Sequence, residues 1–598
     1  MKRGLQAILL CSLLFPFFSM PSIACKDVIV VGDATAGDFN ILMKVRDPSR
    51  PGPQVLCIVE SGYRYRYHLP GIKGIEREYI VKHRFIGVVT KGDAPPNIVK
   101  AGIALSDAGI AYGDADSPSF WINPLRTSWD DFDWIRYACQ SASSEEEAID
   151  LLKEVVNMHA PGVSENLFVV GPRKAYVMEG DAVRYSVKEI KDVLVMSNYP
   201  KDLWKYRLLK RLFISKSFDF EKVCSAGKGS VIRLGGILGV KVLGVGKNGV
   251  YVKLWPMGKK IFIKIGEGKV VGPFWIDALG TDGRLVNLRI CYKYKVWEEE
   301  ILNRLKERYG KIDVKDLMNL SRLHADDIKG IRGMCERFNK ATAICKIPYK
   351  HFEYLSCMWF APDQCSSIYI PVHVCCKEIF DPYENGDAAR LAREILDLFG
   401  HGGFSSYANK VESIFIEEVE RAEEIARSLI KKGKDPSEFL TNIDLELQKQ
   451  AYLTELLVLS LKKEGKVIPV IWGKDYTSSV SRFFALSDDL NRKNLELLGE
   501  ITKSIARLRF EEMKVTGNLS DCKVKLFENG IEEIDKGDFE QGFLKIHAFL
   551  SGEYTGKIGR NQSKADLVIF ILVFLFFLLV ISIVILTLIR NKICLFSK

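Results

Sequence analysis

Hydrophobic and polar positions divide the chain into strand-rich and helix-rich parts. Residues 27–45 read DVIVVG, DATAGD and FNILMKV, which predicts two strands joined by a tight turn. Further strands are predicted over 75–81, 102–115, 166–187, 192–200 and 352–374. The Gly-rich segment 228–295 alternates short β-like stretches with turns and therefore predicts a β-rich insertion.

Apolar residues recur at helical spacing in other stretches. Helical regions are predicted over 130–156, from 296 onward, over 387–465 and over 484–514. In the first of these regions, Ser144 followed by Glu147 three residues later is typical of a helix N-terminus. The pattern as a whole indicates an α+β protein.

Both ends of the chain carry long apolar runs. Residues 1–24 follow the order of a secretory signal peptide: Lys2 and Arg3, an apolar run, then Ser22 and Ala24 before Cys25. Residues 567–589 are uncharged and long enough for a bilayer core of about 30 Å, so a transmembrane helix is predicted over 565–590. These runs predict a single-pass cell-membrane protein with an extracytoplasmic bulk and a cytoplasmic tail over 591–598.

Charge and cysteine content narrow the function classes. The net charge is +10, from 85 basic and 75 acidic residues, and no basic block stands out, so the sequence gives little support for a nucleic-acid partner. Sequons at Asn319, Asn518 and Asn561 are compatible with an extracytoplasmic face. A cysteine group could form disulfides, with zinc as the alternative that its spacing favours less because no paired CxxC is present. Its members are Cys335, Cys345, Cys357, Cys365, Cys375 and Cys376.

Cys25 is open to three interpretations. It is an inert thiol at the start of a strand, a lipid attachment site, or a nucleophile that cleavage of the signal peptide would expose. A cysteine at a new N-terminus carries a thiol and an α-amine on one residue, and their reference pKa values of about 8.5 and about 8 suit proton exchange. Ser-Ile-Ala-Cys is an imperfect lipobox, and a lipidated amine could not carry a proton.

The motifs resemble those of the peptidase C69 (dipeptidase A-like) family of N-terminal-nucleophile hydrolases, which are related to choloylglycine hydrolase. The resemblance covers about 25–375, with a helical tail to about 465, and its motifs come in the family's order. They are CKDVIVVGDATAGDFNILMKVRD, LSDAGIAYGDA, ENLFVVGPRKAYVMEG, VMSNYP and SCMWFAPDQCSSIYIPVH. The insertion at 228–295 and the chain beyond 465 lie outside it.

The resemblance implies a set of catalytic residues. Cys25 matches the nucleophile, Asp47 the acid that holds its amine, and Asn198 an oxyanion donor. Lys44 stands where the family usually has arginine, so the charge is kept without the bidentate fork. No metal or organic cofactor is implied.

Other positions match the family less well. The family's Gly-Glu-Asn segment corresponds to GDAD here, which places Ala115 or Asp116 where a second oxyanion donor is expected. Asp116, Arg46 and Arg322 are weak candidates for substrate binding. His324, beside Arg322 in NLSRLH, is a weak catalytic candidate for which a structural role is the stronger alternative.

The resemblance implies a four-layer αββα sandwich and an amidohydrolase. The expected protein is a membrane-anchored, outward-facing dipeptidase or short-peptide peptidase that acts on a small peptide or amide through an acyl-enzyme on Cys25. The alternatives are an acyltransferase and a surface protein that keeps the fold with altered chemistry. The predicted domains are a signal peptide (1–24), a core in two parts (25–227 and 296–465), the insertion (228–295), a helical stalk (466–564), the transmembrane helix and the tail.

Overall fold

The computed structural model describes residues 25–47, 51–69, 72, 74–336, 341–466 and 471–552, and these residues form an α+β fold. The strands before the insertion are β1 Lys26–Val30, β2 Phe39–Arg46, β3 Gln54–Val59, β4 Arg64–His68, β5 Glu76–Ile80, β6 Phe85–Thr90, β7 Ala101–Ser106, β8 Ala111–Asp116, β9 Glu165–Val170, β10 Ala175–Gly180, β11 Tyr185–Ile190 and β12 Val193–Ser197. The later strands are β13 Lys222–Gly227, β14 Val231–Arg233, β15 Gly239–Gly246, β16 Gly249–Trp255, β17 Ile261–Lys264, β18 Gly268–Val271, β19 Phe274–Thr281, β20 Leu285–Tyr292, β21 Ala341–Pro348, β22 Cys357–Ala361 and β23 Ile370–His373.

Helices lie between and after these strands. They are α1 Asp131–Cys139, α2 Glu145–Asn157, α3 Leu208–Phe213, α4 Lys293–Lys306, α5 Val314–Ser321, α6 Phe352–Leu355, α7 Asp381–Asn385, α8 Asp387–Phe399, α9 Ser405–Lys431, α10 Ser437–Lys463, α11 Tyr476–Leu486, α12 Arg492–Thr516, α13 Asp521–Lys536 and α14 Phe539–Ser551. The Ser144 side chain accepts a hydrogen bond from the Glu147 backbone, so the predicted N-cap is confirmed.

Two antiparallel sheets face each other in the core. One has the strand order β12-β1-β2-β21-β22-β23 and the other β11-β10-β9-β8-β7-β6-β3. Strands β1, β2 and β12 of the first sheet contact β8 of the second, while α1 and α2 cover the outer face of the second sheet and α4 and α5 contact the first. The layers therefore run helix, sheet, sheet, helix, and β1 lies between the edge strand β12 and β2.

Alternation along β8 directs side chains to both of its faces. Tyr112 packs into a large apolar core with Trp134 and Leu152 from the covering helices. Gly113 points the other way, and a Cβ there would lie 3.2 Å from an Asp27 carboxylate oxygen. Because successive strand residues point to opposite faces, a glycine here leaves room for polar side chains between the sheets.

The segment predicted as a β-rich insertion, together with β13 directly before it, forms two small antiparallel sheets, ordered β13-β20-β19-β18 and β14-β15-β16-β17. The described chain divides into two compact units: residues up to 408 with 415–455, and residues 409–414 with those from 456 onward. In the second unit, α13 and α14 pack closely, and Phe510 stacks on Phe527 with ring centroids 4.3 Å apart. The domain boundaries drawn from the sequence stay predictions.

Among the helices that the structure describes, none is long and apolar enough to cross a membrane. The longest, α9 and α10, have 27 residues each, but both carry acidic and basic side chains along their length. We therefore withdraw the predicted C-terminal transmembrane helix, the membrane as a partner and the single-pass membrane location. The segment 565–590, the tail 591–598, the part of the predicted stalk beyond 552 and the predicted signal peptide 1–24 lie outside the described residues.

Candidate active site around Cys25

Strand pairing places Cys25 between two of the other predicted site residues. Lys26 lies opposite Ser197 of β12 on one side and opposite Val45 of β2 on the other. Continuing both registers by one residue places Cys25 opposite Asn198 and Arg46. Residues directly opposite in antiparallel strands share a face. Cys25 and Arg46 therefore share a face, and Asn198 lies in the turn that directly follows β12.

The Cys25 thiol is buried and neutral. The residue is 8% exposed, and its carbonyl accepts a hydrogen bond of 2.6 Å from the Ser197 hydroxyl. Burial raises the pKa of the Cys25 thiol to about 12, the Lys44 charge opposes this, and Asp114, Asp27 and Asp47 add to it. A thiol in this environment needs a base beside it before it can act as a nucleophile.

Lys44 brings a positive charge between the sheets. Its ammonium donates to the Asp114 carbonyl at 2.5 Å and forms an ion pair with the Asp114 carboxylate. The lysine stem passes Gly113, where a Cβ would lie 3.5 Å from the Lys44 Cδ. Burial alone would lower the pKa of Lys44, but Asp114, Cys25 and Asp27 raise it above its ordinary value. Lys44 therefore stays protonated.

Asp27 is a site residue that the sequence did not single out. Its Cα pairs with that of Lys44, so the two side chains share a face. Both carboxylate oxygens are buried and have no hydrogen-bond partner among the described residues. Burial raises the pKa of Asp27 well above its usual range, and the Lys44 charge opposes this rise. The only signal in the sequence was an acid at the start of an apolar strand.

Asp47 belongs to a buried ionic network. Lys26 Nζ lies 3.0 Å from Asp47 and 2.8 Å from Glu336, and Arg332 lies 3.6 Å and 2.9 Å from the same two carboxylates. Arg332 also donates to the Ser197 hydroxyl at 3.2 Å, and that hydroxyl bonds the Cys25 carbonyl. Asp47 thus forms ion pairs with the Lys26 and Arg332 side chains near the Cys25 end of β1. Its contact with the Cys25 amine stays a prediction.

A buried amide fixes the turn that carries Asn198. Asn166, in β9, donates to the carbonyls of Ser197 and Tyr199 at 2.9 Å and 3.0 Å, on either side of Asn198. Asn198 is half-buried, and its Oδ1 accepts from the Ser197 hydroxyl at 3.3 Å. The next residue, Tyr199, donates to Glu298 at 2.6 Å. Asn166 lies within the ENLF motif, but its role was not assigned from the sequence.

The weaker candidates lie in different surroundings. Arg46 is buried between the sheets, where it donates to the Val88 carbonyl at 3.0 Å and lies 4.6 Å from the Phe132 ring. Asp116 is exposed at the end of β8, and Ala115 before it is buried. Arg322 donates to the Gln364 carbonyl at 2.7 Å and neighbours His324. His324 belongs to a group of cysteines and histidines, and Arg322 lies next to that group. Neither residue is among those around Cys25.

A charged cleft lies at the other end of β2. It is lined by Gly37, Asp38, Phe39, Lys346, Pro348, Lys350, His351, Glu420, Glu423, Glu424, Arg427, Ile430 and Lys431. Phe39 is the first residue of β2 and Arg46 the last, so the cleft and Cys25 are separated by a strand of about 23 Å. The cleft is therefore not the entry to the Cys25 site.

Among known proteins, a distant structural similarity is found, and no family model or curated protein matches the chain. Among solved structures it is similar to a mutant conjugated bile acid hydrolase from Clostridium perfringens, with 11% identity, a TM-score of 0.32, and coverage of 58% of this chain and 92% of that one. A likeness this distant bears no argument about activity, and membership of the peptidase C69 family is not established.

Proposed function

We propose that this chain is an N-terminal-cysteine amidohydrolase that forms an acyl-enzyme on Cys25. The single observation that supports the proposal best is the position of Cys25. It lies between the turn of Asn198 and the end of β2, with the Lys44 charge opposing the rise in its pKa that burial causes and the Asp47 network bonded through Ser197 to its carbonyl.

The proposed reaction begins with cleavage before Cys25. The freed α-amine takes the thiol proton, and the thiolate sulfur attacks the carbonyl carbon of an amide substrate. The resulting oxyanion accepts hydrogen bonds from the Asn198 side chain and from backbone N–H groups, while the buried Lys44 charge stabilises the anionic intermediate. Asp47 stabilises the protonated amine.

The tetrahedral intermediate then collapses. The C–N bond breaks, the protonated α-amine gives its proton to the leaving amine, and a thioester to Cys25 is left. Water, deprotonated by the α-amine, attacks the thioester carbon, and the C–S bond breaks to release a carboxylic acid and the Cys25 thiolate, which takes its proton back from the protonated amine. We propose dipeptides or short peptides as the substrates, because the resemblance to the peptidase C69 family points to them. An amine in place of water would make the same site an acyltransferase.

One observation favours the alternative of a protein that keeps the fold with altered chemistry and does not catalyse hydrolysis. In the described structure Lys44 is already neutralised by Asp114, and the Cys25 thiol is neutral and 8% exposed. Cleavage before Cys25 therefore has to change the site for catalysis to occur.

The test is to map the mature N-terminus by intact mass and then to alkylate the protein with iodoacetamide. We expect a chain that begins at Cys25, and loss of dipeptide hydrolysis in step with modification of that residue. The matched control is Cys57→Ala, which removes a buried thiol from β3 and should leave hydrolysis unchanged. A lipidated, acetylated or uncut N-terminus would contradict the mechanism.

A further inference from the structure

Two cysteines and two histidines from three connections converge in the first unit, and His324 and Cys335 share the connection between α5 and β21. We call His324, Cys335, Cys365 and His401 the Cys/His cluster, and its donor atoms all lie within 4.8 Å of one another. The Cys335 and Cys365 sulfurs are 2.9 Å apart, His324 Nε2 lies 3.2 Å from the Cys365 sulfur, and His401 Nδ1 lies 3.9 Å from the Cys335 sulfur. These are non-bonded distances between four soft or borderline ligands.

We propose that the Cys/His cluster binds one Zn²⁺ ion in a tetrahedral, four-ligand site. Two thiolates and two imidazoles are a preferred zinc set, and their two negative charges neutralise the ion. Zinc bonds of about 2.3 Å to sulfur and about 2.0 Å to nitrogen place tetrahedral ligand atoms roughly 3.3–3.8 Å apart. The His–Cys distances are close to this range, and the two sulfurs need to separate by less than about 1 Å.

Hydrogen bonds outside the cluster hold each ligand segment in place. The backbone N–H of His324 donates to Asp327 at 2.8 Å, and that of Cys365 donates to Asp363 at 2.9 Å. The Cys335 N–H donates to the Leu323 carbonyl at 2.9 Å, which ties the Cys335 loop to the His324 segment. Supporting contacts of this kind orient metal ligands and raise affinity.

Arg322 and Gly402 complete this support. Arg322 joins the His324 segment to the Cys365 loop through its hydrogen bond to the Gln364 carbonyl. Gly402 has φ of +78°, a left-handed conformation that favours glycine, and a Cβ there would lie 3.6 Å from the His324 ring. The loop therefore turns closely around His324 and presents His401 to the cluster.

The site would be structural. Four protein ligands leave no open position for water or substrate, as is usual for structural zinc. Cys335 precedes Glu336, the carboxylate that binds Lys26 and Arg332 in the Asp47 network. Zinc would thereby fix the loop that supplies Glu336. The inference does not depend on the proposed activity, because zinc binding requires no chemistry at Cys25.

The test uses the full chain, purified without chelators. We expect about one zinc ion per chain by elemental analysis, and Co²⁺ replacement should give a thiolate charge-transfer band in the near ultraviolet. The zinc content of the double variant Cys335→Ser/Cys365→Ser should be at least about tenfold lower than that of the wild type. The matched control Cys345→Ser/Cys357→Ser removes two buried thiols from neighbouring strands and should keep full zinc content.

A second variant covers the case in which the double variant does not fold. His401 is exposed, so His401→Ala should fold and should raise the zinc Kd at least about tenfold in competition with a chelating dye. The proposal is overturned if the wild-type protein does not bind zinc on reconstitution or if the double variant retains zinc. A Cys335–Cys365 disulfide found in the native protein by mass spectrometry would also overturn it.

Discussion

The Cys25 site and the Cys/His cluster both contain buried thiols, but their surroundings differ. Around Cys25 the neighbours are hard charges, with Lys44 and Asp114 paired and Asp27 without a hydrogen-bond partner among the described residues. In the Cys/His cluster the neighbours of each thiol are another thiol and imidazole nitrogens. Charges can adjust the reactivity of one sulfur, whereas thiols and imidazoles together are suited to hold a metal.

The two sites also differ in how they connect to the chain. Cys25 directly precedes β1, Lys44 lies in β2 and Asn198 directly follows β12, so a short register argument relates them. His324 and Cys365 are 41 residues apart, and Cys335 and His401 are 66 apart, and the four residues lie on three different loops. The geometry of the Cys25 site therefore depends on strand pairing within the sheet, and that of the Cys/His cluster depends on the packing of loops.

Removing the Cys25 thiol should have the largest effect and should leave the other site untouched. We expect Cys25→Ala to lower dipeptide hydrolysis about a thousandfold or more, since a nucleophile acts with its base as one unit. Zinc content should not change. Product amine release and elemental analysis on the same sample measure both, and hydrolysis that survives would assign the activity elsewhere. Loss of zinc from this variant would contradict the separation of the two sites.

Part of this contrast could be predicted from the sequence. Alternation and turn residues over 27–45 indicated the two strands that carry Cys25 and Lys44, and the structure has β1 and β2 there. The strand β21, between them and β22 in the sheet, was not predicted, because ATAICKIP follows a stretch that was interpreted as helical. Local patterns identify strands, but they do not reveal which strands become neighbours.

Replacing Lys44 should break the charge balance around Cys25. Lys44→Met keeps the length of the side chain but leaves the buried Asp114 carboxylate without its cation, which should cost about 3–5 kcal/mol of unfolding free energy. Urea unfolding measures this loss. The control Lys153→Met removes a half-buried lysine paired with the exposed Asp150 and should cost less than about 0.5 kcal/mol. Equal losses would show that the Lys44 pair is not a significant stabilising contact.

The residues that sequence analysis missed share a physical cause. Asp27 in a strand is ordinarily solvated, and only the second sheet, with Gly113 facing it, buries it. The ligands of the Cys/His cluster lack a short spacing motif, so disulfides were favoured over zinc. No disulfide joins the cysteines that the structure describes. Burial and convergence of loops depend on the whole fold and leave no local pattern.

Asn166 should matter less than Lys44, and only on the Cys25 side of the comparison. Asn166→Ala removes two buried hydrogen bonds to the carbonyls beside Asn198, so we expect a loss of about 2–3 kcal/mol and a lower kcat. Zinc content should stay constant. Asn97→Ala, which removes one exposed loop hydrogen bond, is the control and should have little effect. An unchanged kcat would show that the turn keeps its shape without Asn166.

Glu298 should give the smallest effect, visible only as a change with pH. Burial raises the pKa of Glu298 to about 7 from 4.5, against the lowering effects of Lys201 and Tyr199. A carboxyl whose pKa is raised by folding contributes stability that is complete below about pH 4.5 and is lost as pH rises through about 7.

In Glu298→Gln this loss should be absent, because the amide does not ionise. Relative to wild type, the variant should therefore gain on the order of 1 kcal/mol between pH 5 and pH 8. Urea midpoints across that range measure it, with Glu299→Gln, at a more exposed neighbouring position, as the control. Parallel curves for Glu298→Gln and wild type would mean that Glu298 does not titrate there. Glu298 contacts Tyr199, beside Asn198, so its substitution should affect only the Cys25 site. A change in zinc content in Glu298→Gln would show that the Cys25 site and the Cys/His cluster are coupled.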